Sequence, residues 1–252
     1  MQVVYLDTET TGVGAEDRLC QIAFLVEKRE DMLLGVGEAI YPPTLYADLC
    51  KPPLAISAGA TSINHITNEM VEGKPAFAQS ESAKELERLN DARNTLVIHN
   101  APFDLAMLAK EGFKWRGQVL DTLRVARHIY DTESHALQFL RNALGLYRKE
   151  AKLATSLRVK PEPHNAIGDV LALYLLVSDM LVKRPMEELI ELCQKPIKLE
   201  KIRFGKYKGR EFEEIVKDDP DYLCWLAKSE REKTDQNADL LHTIDCVFKT
   251  AT

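Results

Sequence analysis

Two rhythms of apolar positions run along this chain. Val3–Leu6, Gln21–Val26 and roughly 33–41 are short runs separated by polar or Gly-containing stretches, a spacing that predicts three strands in an antiparallel meander. Pro42, Pro43, Pro52 and Pro53 then interrupt the pattern and predict a loop. Ser80–Leu89 has helical spacing, and "TLVIHN" (95–100) is a short β-branched run of the kind that fills an interior strand. "APFDLAMLAKEGF" (101–113) reads as a helix with Pro102 in its first turn, where a missing N–H costs nothing. "VLDTLRVARHIY" reads as a strand passing into a helix, and "HALQFLRNALGL" (135–146) as a helix with a Gly near its end. The longest stripe lies in 165–183, where Val170, Leu171, Leu173, Tyr174, Leu176, Val177, Met180 and Leu181 share a helical face. Antiparallel strands followed by alternating strands and helices predict an α/β fold with a mixed sheet and helices on its faces.

After a helix at 185–194 the composition shifts. Lys195, Lys198, Lys201, Arg203, Lys206, Lys208 and Arg210 face a lone Glu200 over 195–210. A boundary near 197 divides the chain into a domain over 1–183, a linker helix over 184–197 and a small basic module over 198–252. In "FGKYKGREFEEIVKDDPDYLCWL" (204–226), Gly205 and Gly209 bracket a basic tip and suggest a hairpin, followed by helices. Tyr222, Leu223, Trp225 and Leu226 are the expected core of this module. Residues 227–252 read as a mixed-charge stretch, helical or frayed.

Over 252 residues, 45% hydrophobic and 29% charged positions form an ordinary globular balance. Five scattered cysteines without a CxxC pair argue against a zinc site or a disulfide framework and suit a reducing compartment. The sequence has no basic-then-apolar leader and no apolar run near membrane-span length. The expectation is a soluble, cytoplasmic protein with no membrane partner. A formal net charge of -6 argues against nucleic acid only weakly, because a binding face needs local positive charge alone.

The chemistry begins where the first strand ends, at "VVYLDTETTG" (3–12). Residues two apart share a strand face, so Asp7 and Glu9 project together. Such a pair is a solvated strand end or a site for divalent cations, which neutralise the like charges. Oxygen ligands suit Mg²⁺ or Mn²⁺. Asp104 in "HNAPFD" and Asp169 in "HNAIGD" each stand near a helix start, where an acid also complements the helix dipole.

Together "DTET", "HNAPFD" and "HNAIGD" resemble the three motifs of the DEDD 3′-5′ exonucleases. His164, five residues before Asp169, resembles the His-bearing (DEDDh, DnaQ-like) branch. The resemblance covers roughly 1–181. It implies a ribonuclease H-like mixed five-stranded sheet and a 3′→5′ exonuclease that releases nucleoside monophosphates from DNA, in repair or proofreading. It implies that Asp7, Glu9, Asp104 and Asp169 bind two divalent ions about 3.5–4 Å apart. His164 would deprotonate the attacking water, a role that a pKa near 6.5 suits. Thr10, Thr11, Gly12, Asn100 and Phe103 would contact the terminal nucleotide, although Gly12 also fits a plain turn and Phe103 a core position. His65 is expected to be structural, and His99, His128, His135 and His242 to be surface or packing residues.

The tail resembles a small module appended to some bacterial exonucleases. Lys206, Lys208 and Arg210 are expected to track phosphates, or else the hairpin merely caps the nuclease domain. The resemblance implies DNA as the partner, single-stranded or at a 3′ end. RNA trimming and a polymerase-associated proofreading or binding subunit are the alternatives, since the motifs do not read the 2′ position.

Overall fold

The computed structural model describes residues 1–28, 42–160 and 165–251. It divides into two compact units, Met1–Cys193 and Gln194–Thr252. The first unit opens with strands β1 (Gln2–Thr10), β2 (Leu19–Lys28) and β3 (Thr44–Leu49), then helices α1 (Ala58–Asn64), α2 (Asn68–Val71) and α3 (Glu81–Leu89). It continues with β4 (Thr95–Ile98), α4 (Ala101–Lys110), β5 (Gln118–Asp121), α5 (Thr122–Ile129), α6 (Leu137–Ala143), α7 (Tyr147–Leu157), α8 (Ala166–Lys183) and α9 (Met186–Gln194). These strands form a five-stranded sheet in the order β3-β2-β1-β4-β5. β1–β2 and β2–β3 pair antiparallel, while β1–β4 and β4–β5 pair parallel, so the sheet is mixed.

Central β1 separates two cores. Val3 and Tyr5 join the cluster beneath α8, and Val4 and Leu6 join the cluster with residues of α3 and α4. Burial on both faces explains why the strand's start reads as an unbroken apolar run. Helix α8 buries Val170, Leu171, Leu173, Leu176, Val177 and Met180 completely. At about 1.5–3 kcal/mol for each large side chain, that stripe is enough to hold a charged residue at the helix start against the sheet. Asn165 caps α8, its side chain accepting from the Ile167 N–H at 3.1 Å.

Two expectations change here, and a third falls on undescribed residues. Residues 44–49, read as loop between prolines, form β3, which pairs with β2 from Gln21↔Leu49 to Val26↔Thr44. The prolines flank the strand and interrupt nothing inside it. The strand expected at 33–41 lies outside the described residues. Helix α9, expected as a linker, buries Met186 and Leu189 in the first unit's core.

Gly117 permits the entry to β5. A Cβ there would stand 2.1 Å from the Asn94 carbonyl oxygen and 2.7 Å from that of Asp91, both backbone atoms. Gly117→Ala is therefore expected to lower the melting temperature by several degrees, each 1 kcal/mol being about 2–4 °C at this size. A thermal melt that coincides with wild type would show that the backbone yields without cost.

In the second unit a turn at Phe204–Gly209 leads into α10 (Phe212–Asp218), α11 (Pro220–Arg231) and α12 (Ala238–Ala251). The expected hairpin is reduced to one bridge, Lys201↔Glu211. The core comprises Ile202, Phe212, Ile215, Leu223, Leu226, Leu240, Ile244 and Val247 among others. Tyr222 is only partly buried and Trp225 is 59% exposed, contrary to the expected core. The closing stretch, ambiguous in sequence, supplies α12 and much of this core. Among the described residues no helix is long and apolar enough to cross a membrane.

Candidate active site

Past the apolar part of β1, Asp7 and Glu9 continue the face that Val3 and Tyr5 present to α8, and both are half-buried. The register with β2 slips between Glu9 and Thr10, where the chain leaves the sheet. Asp169 lies in the first turn of α8. Asp7, Glu9 and Asp169 each offer one carboxylate oxygen, and these oxygens lie within 4.8 Å of one another. Strand period and helix start thus bring residues 160 positions apart in sequence to one point.

Asp104 approaches from α4, on the sheet's other side, and is 4% exposed. The Thr8 hydroxyl donates to its Oδ1 at 2.6 Å. Thr8 alternates with Asp7 and Glu9 along β1, so the strand sends two acids to one face and a hydroxyl to the other. Asn100, at φ 73, turns β4 into α4 and donates its N–H to Asp121 Oδ1 at 3.0 Å. The Ala101 N–H donates to Asp121 Oδ2 at 3.2 Å, so Asp121 caps the start of α4 from the neighbouring strand.

These acids are poorly placed as bare anions. Burial, then Asp104, Asp169 and Glu9, push the Asp7 carboxyl well above its usual range. Burial, then Asp169 and Asp104, push Glu9 up to about 8. Burial raises Asp104 to about 7 despite the Thr8 hydrogen bond, which favours its ionised form. Among the described residues no Lys, Arg or His forms an ion pair with Asp7, Glu9 or Asp104. The Gln138 amide, from α6, donates to Asp169 Oδ1. A set of oxygen-only donors with excess negative charge fits a hard divalent ion.

The expected nucleotide contacts are placed unevenly. Thr10 and Thr11 are buried, and their hydroxyls are committed within the loop: Thr10 Oγ1 donates to Gly12 O and Thr11 Oγ1 to Asp17 Oδ1, each at 2.7 Å. Helix α1 secures the same segment, with Asn64 Nδ2 donating to Thr10 O at 3.1 Å and Ser57 Oγ to Thr11 O at 3.1 Å. Both hydroxyls thus donate within the loop, next to the carboxylate-bearing end of β1. At Gly12 a Cβ would come within 2.6 Å of the Asp17 carboxylate, a crowded position that favours glycine. Phe103 is half-buried against the α3–α4 core, and Asn100 is exposed beside it. His164 lies outside the described residues.

His65 terminates α1 with φ 59, a local structural use. The His99 ring sits between Thr122 Oγ1 and the His135 carbonyl, both at 2.9 Å, and burial lowers its pKa to about 4. Thr8, Gln138 and Asp121 are supports that the sequence reading missed. Thr8 lies inside "DTET" and could have been noticed by its place between two acids. Nothing local marks Gln138, which reaches Asp169 only through the packing of α6 on α8.

In the second unit, two of the three expected phosphate contacts have acidic partners. Lys206 Nζ lies 2.9 Å from Asp219 Oδ2, and Arg210 lies 2.6 Å from Asp218 and 3.3 Å from Glu214. Lys208 and Arg203 are exposed and form no ion pair among the described residues.

Comparison with known proteins adds the lineage. A model of the "Exonuclease" family matches residues 4–177, and one described as "Exodeoxyribonuclease X-like C-terminal" matches 202–231. The chain is 26% identical over 227 residues to exodeoxyribonuclease 10 of Escherichia coli K12, covering 88% of each. It is 33% identical over 147 residues to the DNA polymerase III subunit epsilon of Treponema pallidum, covering 53% of this chain and 62% of that protein. An epsilon-like protein of Rhodobacter capsulatus is 30% identical over 177 residues, 67% of this chain but only 22% of that protein's length. The chain thus spans less than two thirds of these last two relatives. A structure of exonuclease X in complex with 5′ overhanging duplex DNA shares the fold, with a TM-score of 0.53 and 21% identity over 76% of this chain and 99% of that one. Residues 4–177 contain nearly the whole sheet and all four carboxylates described above, and by that match the chain belongs to the exonuclease family.

Proposed function

We propose that the protein is a metal-dependent 3′→5′ exodeoxyribonuclease that hydrolyses the terminal phosphodiester bond of DNA and releases nucleoside 5′-monophosphates, in repair or proofreading. The observation that carries this reading is the convergence of Asp7, Glu9 and Asp169 within 4.8 Å, with Asp104 beside them. We assign Asp7, Glu9, Asp104 and Asp169 to two Mg²⁺ or Mn²⁺ ions. Bound ions would neutralise charge developing on the phosphodiester oxygens and orient the attacking water.

The remaining work falls to the chain itself. Thr8 and Gln138 hold the carboxylates of Asp104 and Asp169 in fixed orientations, so the acids need not reorganise during the reaction. His164 is assigned as the general base that takes a proton from the water, a role suited to a neutral imidazole. Thr10, Thr11 and Gly12 at the end of β1, Asn100 and the Phe103 ring would receive the terminal nucleotide, the ring by stacking. Lys208, with Lys206 and Arg210 where phosphate displaces their acidic partners, would add sequence-independent affinity. The five cysteines are free thiols, which suits a reducing, cytoplasmic setting.

The test uses a 5′-labelled DNA strand and its RNA counterpart, with Mg²⁺, with Mn²⁺ and with EDTA. The expected result is a ladder shortening from the 3′ end of DNA, absent in EDTA and with His164→Ala. A ladder on RNA alone would move the protein to RNA trimming, and no ladder on either strand would overturn the nuclease reading.

A further inference from the structure

The second unit carries a row of aromatic rings that its folding does not use up. Tyr207, in the Phe204–Gly209 turn, meets Tyr222 edge-on, with ring centroids 5.0 Å apart. Tyr222 meets Trp225, one turn further along α11, at 5.7 Å. The row ends in an indole that is 59% exposed, while Leu223, Leu226 and Ala227 of the same helix face the core.

The row is held rigidly from the other end. Tyr207 Oη donates to Asp219 Oδ2 at 2.7 Å, and the Lys206 ammonium lies 4.7 Å from the Tyr207 ring centroid. Gly205 has φ +68, and a Cβ there would lie 2.7 Å from Tyr222 Oη, so glycine lets the turn close on the ring. A rigid, exposed aromatic surface loses little entropy when something covers it.

The charges around the row indicate what that is. Arg203 and Lys208 lie on the turn side, and Lys228 lies one helical turn beyond Trp225. All three are exposed and form no ion pair among the described residues. Acids precede the rings in the chain as well: Asp219 accepts from Tyr207 and pairs with Lys206, Asp218 pairs with Arg210, and Asp221 is exposed at the start of α11. Protein-docking cores are depleted of charge at their centre. Rings flanked along the chain by exposed, unpaired cations instead match a strand that offers bases for stacking and phosphates for neutralisation.

We infer that Tyr207, Tyr222 and Trp225 form a stacking platform for unpaired bases of single-stranded DNA, with Arg203, Lys208 and Lys228 meeting its phosphates; this rests on the reading of the protein as an exonuclease of DNA. The platform binds without regard to sequence, because every base has a π-face. It is a second place at which the chain engages its substrate, chemically independent of the carboxylates.

Trp115 and Trp225 are the chain's two tryptophans, and Trp115 is 8% exposed in the first unit's core. Trp225 is therefore the indole that a bound strand can quench by contact, over a background from Trp115. The full chain in EDTA is titrated with a twenty-nucleotide oligothymidylate, following emission and, with a fluorescein-labelled strand, anisotropy. Quenching of the exposed indole is expected. Trp225→Phe should abolish the quenching and keep affinity within about threefold, while Trp225→Ala should weaken binding roughly five- to a hundredfold.

A strand that binds and is shortened from its 3′ end, without quenching and with unchanged affinity in Trp225→Ala, would overturn the platform and leave the exonuclease reading standing. Absence of binding together with absence of cleavage on DNA and RNA would overturn both. Emission that shifts with protein concentration and ignores the oligonucleotide would assign the ring row to a second copy of this chain and overturn the inference.

Discussion

Asp7→Asn is expected to reduce metal-dependent cleavage by at least about 10³-fold, since removing a metal-ligand charge forfeits several kcal/mol of transition-state stabilisation. The same change should raise the melting temperature of the metal-free protein by about 2–4 °C for each 1 kcal/mol of repulsion relieved. Both effects follow from one position. The Asp7 carboxyl is raised by burial and by Asp104, Asp169 and Glu9, so in the absence of a cation it is the most opposed charge in the cluster. Asparagine keeps its shape and removes that charge. A lost function paired with a gained stability is the signature of a residue kept for a ligand and not for the fold. Thermal melts in EDTA and in Mn²⁺, beside the cleavage assay, check both. Wild type should gain stability with Mn²⁺ and the variant should not. Cleavage within tenfold of wild type, far short of the expected loss, would remove Asp7 from the site.

Metal-free wild-type protein should lose stability as pH rises from about 6.5 to about 8, and Mn²⁺ should flatten that slope. Glu9 holds its proton in the folded state up to about 8 and Asp104 up to about 7, whereas unfolded carboxylates release theirs near 4. Between those limits the folded state binds more protons, so stability is full below the unfolded values and falls as pH rises through the folded ones. His99 acts in the opposite sense at lower pH. Its ring titrates at about 4 when folded and near 6.5 when unfolded, so it adds stability as pH rises towards 6.5 and little slope beyond. Cys20 and Cys50, raised by burial to about 12, add a fall of the same sign only as pH nears the unfolded thiol value of about 8.5, so the span from about 6.5 to about 8 isolates the acids. Melting temperatures in EDTA and in Mn²⁺ across that window provide the measurement, and an EDTA curve that is flat or rising would mean that the acids ionise freely without metal. In Asp7→Asn the slope should shrink, which ties this experiment to the first.

Element order and most element types were legible in the sequence. Short apolar runs bounded by polar or Gly-containing stretches pointed to β1 and β2, and the stripe from Val170 to Leu181 to α8, because both patterns record burial by neighbours whatever those neighbours are. β3 was hidden, since Thr44–Leu49 is half-buried along its length and shows weak alternation between prolines that demote a strand. The four acids were legible as residue types in three short motifs. Their supports were not, apart from the place of Thr8 between Asp7 and Glu9.

By itself the sequence determined which residues carry charge and chemistry, and in what local conformation each is presented, because side-chain identity, strand period and helix capping act within a few residues. Tertiary structure alone decided which distant segments meet. It set the Thr8 hydroxyl against Asp104 across 96 positions and Gln138 against Asp169 across 31. It also spent the hydroxyls of Thr10 and Thr11 inside their own loop and left Trp225 facing solvent at the end of a ring row. The reason is that a face of a strand or helix acquires its partner only when the sheet order and the helix packing are complete, and neither is encoded within a window of neighbouring residues.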